Sequence, residues 1–201
     1  MKRIRKVHRD SDRRAAEALA AGELVVLPTD TLYGFSVPLG SKTGRSGILR
    51  LKGEDERRFL YVASSVDMVE HHIASWGCSS SEEMGRHWPA PLSAIFEAAE
   101  VCPSWIGDTI ALRVPDDEWL RRVIDRVGEP LLSTSVNVAG ALPLHDADEI
   151  DRLFGPDVEL VVVADRPLQE RSSTVVDLTG RSPRVIRRGA YAWPAGENPS
   201  K

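Results

Sequence analysis

The chain has 201 residues, of which 42% are hydrophobic and 28% are charged, as is typical of one soluble globular domain. Its formal net charge of −4 at pH 7 argues against nonspecific nucleic-acid binding driven by total charge, but it leaves room for a local basic pocket. Cys78 and Cys102 lack CxxC spacing, so we expect two reduced thiols and neither a disulfide framework nor a structural zinc site. The basic first residues are not followed by the apolar core of a signal peptide, and no apolar stretch is long enough to cross a bilayer. We therefore expect a cytoplasmic protein.

Helical patterns recur along the chain and carry end signals. The first covers residues 11–21, with Ser11 or Asp12 as its expected N-cap and a glycine just after its end. The last begins with Asp146 and Glu149 in the spacing of a capping box. In chain order, the predicted helices cover residues 11–21, 44–51, 65–73, 80–87, 118–127 and 146–154.

Short apolar runs between these helices predict strands. They cover residues 23–27, 59–63, 92–96, 109–114, 158–163, 174–178 and 185–187. The alternation of strands and helices argues for a layered sheet with helices packed against it. Because the chain contains no internal repeat and no low-complexity linker, we predict one domain over residues 1–192 and a tail, residues 193–201, that frays.

Two polar stretches directly follow apolar runs, which is where α/β proteins usually place their ligands. Residues 28–34 read PTDTLYG and combine two hydroxyls, a carboxylate, a phenol and a glycine. Residues 133–140 read STSVNVAG, and small hydroxyl and amide side chains of this kind can hold phosphate or carboxylate oxygens. An ordinary turn rich in Thr and Asp, or a capped loop, would have the same composition. The residues alone leave both interpretations open.

Seven short motifs follow one another in a fixed order. They are PTDTLYG, LKG, WPAPLS, ALRVP, LLSTSVNVAG, SSTVVDLTG and IRRGA. In this order they resemble the YrdC family of threonylcarbamoyl-AMP synthases, and the resemblance covers residues 15–190. PTDTLYG and STSxN are the specific members, whereas ALRVP and WPxP would be weak evidence alone.

The resemblance implies an α+β (mixed α/β) fold, in which a strongly twisted, mixed open sheet is flanked by helices and forms a concave basic cavity. It implies that the chain is a short, single-domain nucleotidyltransferase. Such an enzyme joins L-threonine, bicarbonate and ATP into L-threonylcarbamoyladenylate and releases pyrophosphate. A tRNA threonylcarbamoyl transferase would use this product to modify adenosine in tRNA, and RNA is a further candidate partner. Mg²⁺ would accompany ATP, and no resident metal site is expected.

Catalysis of this kind needs no covalent enzyme nucleophile, because positioning and cations that offset phosphate charge can supply it. By motif position, the resemblance implies three groups of site residues. The catalytic group is Lys52, Ser135 and Asn137. The threonine-binding group is Thr29, Thr31, Lys52 and Ser135. The ATP-binding group is Ser133, Asn137, Ser173, Arg187 and Arg58.

Position 54 departs from the family pattern. Relatives usually have Lys-x-Arg at the end of the second helix, often followed by proline, whereas this chain reads KGED over residues 52–55. Glu54 should repel an anionic substrate that an arginine would attract. Either Arg57 or Arg58 substitutes for the missing cation, or the activity is weakened or directed to another substrate.

Two other functions stay open at this stage. A noncatalytic module that holds a nucleotide or RNA is favoured by Glu54 and disfavoured by the intact motifs for both an amino acid and ATP. A related carbamoyl-adenylate chemistry with another acceptor is disfavoured because the chain has no attached acylphosphatase or zinc-finger segment.

Overall fold

The computed structural model describes residues 2–53, 59–73, 78–138, 140–169 and 171–194, and at residues 78–82 it describes the backbone alone. Ten strands and six α-helices occur in these ranges. The strands are β1 Lys2–Arg5, β2 Val25–Pro28, β3 Tyr33–Pro38, β4 Leu60–Val62, β5 Leu92–Glu97, β6 Thr109–Arg113, β7 Leu131–Ser135, β8 Leu160–Val163, β9 Thr174–Asp177 and β10 Arg184–Arg187. The helices are α1 Ser11–Ala20, α2 Lys42–Lys52, α3 Val66–Glu70, α4 Cys78–His87, α5 Glu118–Val127 and α6 Ala147–Phe154.

The strands form a single open sheet in the order β1-β8-β2-β3-β7-β4-β6-β5-β9-β10. Neighbours pair in parallel at β1–β8, β8–β2, β4–β6 and β5–β9, and the other neighbours are antiparallel. The predicted mixed open sheet flanked by helices is therefore confirmed. Strands consecutive in the chain pair at β2–β3, β5–β6 and β9–β10, whereas the other neighbouring strands are brought together from distant parts of the sequence.

Local capping signals predict most helix ends well. The Asp146 side chain accepts hydrogen bonds from the backbone N–H groups of Asp148 and Glu149, as the capping pattern indicates. Helix α1 differs from the prediction, because neither Ser11 nor Asp12 is its N-cap. The Ser11 hydroxyl instead donates to the carbonyl oxygen of Lys6 and accepts from Trp119 Nε1 of α5. The Ser11 hydroxyl thus connects α1 to α5 instead of capping the start of its own helix.

One face of the sheet is covered by helices along most of its width. Strand pairing aligns Val26, Phe35, Thr134, Leu132 and Tyr61 on this face. Helices α2 and α6 contribute buried apolar side chains to the same cluster. Burial of this surface provides the main hydrophobic stabilisation of the fold.

The opposite face is only partly covered. Helices α1 and α5 pack over the end of the sheet formed by β1, β8 and β2. Further along the same face, strand pairing aligns Ser36, Ser133, Leu60, Ala111 and Ile95 across five strands. Leu60, Ala111 and Ile95 are half-buried, and this uncovered part of the sheet is the floor of the main cavity.

Two expectations about the chain as a whole concern membranes and thiols. In the described ranges, every helix is too short or too polar to cross a membrane. Cys102 is a free thiol whose pKa is raised by burial. The side chain of Cys78 lies outside the described part of the chain.

Candidate functional site

The main cavity has a volume of about 510 Å³, which is within the usual range for small-molecule sites. Its floor and walls come from strands β3 to β7, β9 and β10, from helix α2, and from the segments that follow β2 and β7 or precede β4, β6 and β9. Among the described residues that line it there are three arginines, Arg45, Arg113 and Arg187, and no aspartate or glutamate. The cavity is therefore cationic although the whole chain carries a net negative charge.

Thr29 organises the turn between β2 and β3. Its hydroxyl donates to the carbonyl oxygen of Leu32 and accepts from the backbone N–H groups of Thr31 and Leu32. Thr31 Oγ1 lies 3.0 Å from Thr29 Oγ1, and both side chains line the cavity. The two interpretations of PTDTLYG thus coexist, because the hydroxyl that builds the turn also forms the cavity wall.

Arg113, at the end of β6, connects this turn to the neighbouring strand. Its side chain is 2% exposed and forms a buried ion pair with Asp30, and its Nη1 donates to Thr31 Oγ1 at 3.3 Å. Asp30 also accepts the backbone N–H of Asp116 at 3.1 Å. Burial raises the pKa of Asp30 and lowers that of Arg113, and the attraction between the two charges opposes both shifts.

Two buried donors in the cavity wall have no hydrogen-bond partner among the described residues. They are Arg113 Nε and Trp105 Nε1, and both side chains line the cavity. A buried donor without a partner is costly to the folded protein.

Ser173 and Arg187 form the wall on the side of β9 and β10. Arg187 Nη2 donates to the Ser173 carbonyl oxygen at 2.9 Å and to its hydroxyl at 3.2 Å, while Ser93 Oγ is 2.8 Å from Ser173 Oγ. The β9–β10 pairing shifts register just before Arg187, which turns this side chain toward Ser173. Burial lowers the pKa of Arg187.

Ser133 lies on the cavity floor beside Gly34. A Cβ atom added to Gly34 would lie 2.6 Å from Ser133 Oγ, so the glycine makes space for this hydroxyl. Gly34 itself also lines the cavity.

Lys52, Ser135 and Asn137 form a connected network where α2 ends and β7 ends. The Asn137 amide oxygen accepts from Lys52 Nζ and from the Ser135 hydroxyl, and Lys52 Nζ donates to the Ser135 carbonyl oxygen at 2.9 Å. Lys52 is fully buried. Ser135 lines the main cavity, whereas Lys52 and Asn137 lie behind it. The structure thus brings the proposed catalytic group together, with one member on the cavity wall.

The remaining residues named from the sequence are distributed as follows. Thr29, Thr31, Ser133, Ser135, Ser173 and Arg187 all line the main cavity. Arg58, Arg57 and Glu54 lie outside the described residues, so the assignment of Arg58 to ATP stays a prediction.

Tyr33 separates the main cavity from a second cavity of about 360 Å³ on the other side of its ring. Its hydroxyl accepts a hydrogen bond from the backbone N–H of Ala164 at 2.9 Å, on the side of the second cavity. Burial raises the pKa of Tyr33. The phenol oxygen of PTDTLYG thus has a partner within the protein.

Metal ligands are not clustered in the part of the chain that the structure describes, since no group of three or more His, Cys, Asp or Glu side chains could hold an ion there.

Comparison with a family model covers nearly the whole fold. Residues 17–189 match the model of the Sua5/YciO/YrdC family, whose description is "Telomere recombination". The chain belongs to this family.

Members of the Sua5/YciO/YrdC family with known names or structures resemble the chain over most of its length. The threonylcarbamoyl-AMP synthase of Marinobacter nauticus is 28% identical over 169 residues, which span 82% of this chain and 89% of that protein. The P. abyssi Sua5 structure in complex with L-threonine superposes with a TM-score of 0.82 at 26% identity and covers 94% of this chain. The chain spans 56% of that Sua5 chain. The E. coli YciO structure superposes with the same TM-score at 23% identity and covers 94% of this chain and 93% of its own.

Arg113, Asp30 and Arg45 are cavity or cavity-wall residues to which no role in the site was assigned from the sequence. Arg113 belongs to the motif ALRVP, where a charged residue ends an otherwise apolar run. A charge in that position requires a buried partner, and Asp30 in PTDTLYG was the available one. The signal was therefore present in two separate motifs, but only the fold shows that they pair.

Proposed function

We propose that the chain catalyses ATP-dependent formation of L-threonylcarbamoyladenylate from L-threonine and bicarbonate, with release of pyrophosphate. The observation that carries this proposal is the cavity, whose described lining residues include three arginines and no carboxylate. Each of the three substrates is an oxyanion or carries one, and such a cavity favours their binding. Membership of the Sua5/YciO/YrdC family and the L-threonine complex of Sua5 support the same choice.

The proposed reaction has two steps. The amine of threonine attacks the carbon of bicarbonate, and loss of water gives a carbamate. A carbamate oxygen then attacks the α-phosphorus of ATP, the bond to the β-phosphate oxygen breaks, and pyrophosphate leaves. The chain would act by holding the reactants in line and by offsetting negative charge, so no side chain needs to form a covalent intermediate.

The described residues divide naturally between these tasks. Thr31 and Ser135 offer hydroxyls to threonine, and Thr29 shapes the turn that presents Thr31. Ser133, Ser173 and Arg187 line the part of the cavity assigned to ATP. Lys52 and Asn137 would act from behind the wall, because they hold Ser135 and the end of β7 in place.

We also propose the cation, the cellular compartment and the partners that belong to this reaction. Mg²⁺ would enter with the phosphates of ATP, as part of the substrate. The product, a mixed anhydride, would be consumed in the cytoplasm by a transferase that acts on adenosine in tRNA. Direct contact of this chain with RNA is a further element of the proposal.

The test is pyrophosphate release from ATP and Mg²⁺, measured with and without threonine and with and without bicarbonate. We expect release that requires both, together with an adenylate product of the mass of threonylcarbamoyl-AMP. No release by a chain that still binds ATP would contradict the proposal and favour a noncatalytic nucleotide-binding module. Release with another acceptor in place of threonine would favour the related carbamoyl-adenylate chemistry.

A further inference from the structure

Arg45 is a cavity arginine that neither the motifs nor the relatives' names assign to the site. It lies in α2, two helical turns before Lys52, and a helix places residues seven apart on nearly the same face. Between them Ile48 and Leu49 are buried against the sheet. The buried stripe of α2 thus has a cation at each end, one behind the cavity wall and one on it.

The position of the Arg45 guanidinium is set by an aromatic ring. Its central carbon lies 5.9 Å from the ring centroid of Phe59, the residue just before β4. Phe59 is buried, whereas Arg45 is half-buried. Its charge acts on the buried hydroxyl of Tyr61, which also lines the cavity. Stacking on a fixed ring restricts a long side chain and leaves the edge of the guanidinium free to donate.

Arg45 differs from the other two cavity arginines in what it contacts. Arg113 is paired with Asp30, and Arg187 donates to the backbone and hydroxyl of Ser173. Within the described part of the chain, Arg45 has neither a carboxylate within 4.0 Å nor a hydrogen bond. It is the cavity cation whose donors are least engaged by the protein.

We propose that Arg45 binds an oxyanion of a substrate in the main cavity, either the phosphates of ATP or the carboxylate of threonine, and that Phe59 positions it for this contact. The identity of the anion rests on the proposed function, whereas the contact itself rests on the cavity. An ion pair with a ligand oxyanion would give the N–H donors of the Arg45 guanidinium the acceptors that the protein itself does not supply.

The test compares four proteins: the wild type and the variants Arg45→Met, Arg45→Lys and Arg50→Gln. Methionine keeps an apolar stem on Phe59 and removes the charge, whereas lysine keeps the charge. Arg50 is an exposed residue of the same helix and controls for the general effect of removing a positive charge. Two measurements are made: steady-state KM values for ATP and threonine, and calorimetric affinity for α,β-methylene-ATP with Mg²⁺ and for threonine.

We expect Arg45→Met to weaken one ligand about tenfold, Arg45→Lys to recover part of this loss, and Arg50→Gln to match the wild type. A selective effect on ATP and its analogue would identify the phosphates as the anion, and a selective effect on threonine would identify the carboxylate. The calorimetric arm keeps this inference separate from the proposed function. If the wild type forms no adenylate but Arg45→Met weakens binding, only the proposed function fails.

Three outcomes would overturn the inference. The first is wild-type affinity and KM values in Arg45→Met, which would mean that Arg45 only packs on the Phe59 ring and contacts no ligand. The second is an equal loss in Arg50→Gln, which would show a general charge effect. The third is a wild-type chain that binds neither the ATP analogue nor threonine, which would refute both proposals.

Discussion

At the scale of single residues, both the oxygen and the nitrogen of the Asn137 amide form two hydrogen bonds. Its oxygen accepts from Lys52 and Ser135, and its nitrogen donates to the carbonyl oxygens of Val138 and Ala141. The side chain therefore ties the end of α2 to the loop after β7. These contacts position Ser135, and the assignment of Asn137 to catalysis and ATP binding stays a prediction.

Because Lys52 and Asn137 belong to one network, their substitutions should not add. We expect Lys52→Ala and Asn137→Ala each to lower turnover at least tenfold, which corresponds to about 1.4 kcal/mol in transition-state stabilisation. The double variant should be little worse than the poorer single variant. Steady-state pyrophosphate release measures all three, with thermal unfolding as a check on folding. Near-normal rates in both single variants would show that the network has no role in the reaction. If the losses of the two single variants add fully in the double variant, the two residues do not act through one network.

The ion pair between Arg113 and Asp30 makes a second prediction at this scale. Arg113→Met leaves Asp30 buried without its cation, which should cost about 3–5 kcal/mol of unfolding free energy. Adding Asp30→Asn should recover part of the loss, because the uncompensated charge is then gone. Chemical denaturation of the two variants measures both effects. Equal stability of the single and double variants would contradict this account.

The same variant should depend on pH in a definite direction. Burial already raises the pKa of Asp30 above its ordinary value of 3.8, and loss of Arg113 should raise it further. A carboxyl group whose pKa is raised by folding stabilises the folded state less as pH rises through that range. The loss in Arg113→Met should therefore be smaller at pH 4 than at pH 7.

At the scale of elements, helices could be predicted from local sequence signals, whereas strands that depend on pairing with distant segments could not. The helices were predicted within a few residues because their caps are local, as Asp146 shows for α6. Strands β1, β3 and β7 were not predicted from the sequence. Strand β1 has the sequence KRIR, in which only Ile4 is buried, so its state is decided by parallel pairing with β8. Strand β3 contains a glycine and a proline, its first two residues belong to the polar stretch 28–34, and its other residues were assigned no secondary structure.

The candidate site shows the same division. Six of the residues that line the cavity were predicted from their positions in short sequence motifs, because each motif can be recognised without knowledge of the fold. Arg113 and Arg45 were not predicted in this way, because their importance depends on what lies across from them in the fold. Pairing between β6 and the turn after β2 cannot be read from either segment alone.

Two glycines in α2 allow a matched test of how this helix packs. A Cβ atom on Gly44 would lie 2.6 Å from Val37 Cγ1 of β3, whereas a Cβ atom on Gly47 would meet nothing within 4 Å. Gly44→Ala should therefore lower the unfolding free energy by about 1–3 kcal/mol through overpacking. Gly47→Ala should raise it by about 0.5–1 kcal/mol, because alanine is the better helix former. Thermal unfolding measures both, and effects of equal sign would contradict the packing of α2 on β3.

At the scale of the whole molecule, the last described residues hold the Ser173 wall of the cavity. Gly189 N–H donates to Thr174 Oγ1, Ala190 N–H donates to the Ser172 carbonyl oxygen, and Thr174 Oγ1 donates to the Tyr191 carbonyl oxygen. Tyr191 also lies 2.7 Å from His87 Nδ1, and the Trp193 ring lies 4.8 Å from that of His87. The boundary between the domain and a tail at residue 193 stays a prediction.

Truncation tests the importance of these contacts. A chain that ends at Arg187 loses them all and should unfold at least 4–8 °C lower, since each lost hydrogen bond costs about 1 kcal/mol. It should also bind ATP more weakly, because Ser172 and Ser173 line the cavity. A chain that ends at Pro194 keeps the contacts and should behave like the full-length protein. Equal unfolding temperatures for both truncated chains would contradict the prediction.

The walls of the cavity differ in stiffness. Ser133 and Ser135 belong to β7, which is paired on both sides near the middle of the sheet, whereas Arg187 ends β10, a largely exposed edge strand that pairs with β9 alone. Amide protons of β7 should therefore exchange with deuterium on the timescale of global unfolding, and those of β10 much sooner, through local opening. ATP should slow exchange mainly in β9 and β10. If ATP binding orders β9 and β10, the affinity for ATP should depend on temperature more steeply than it would for a site whose walls were already rigid.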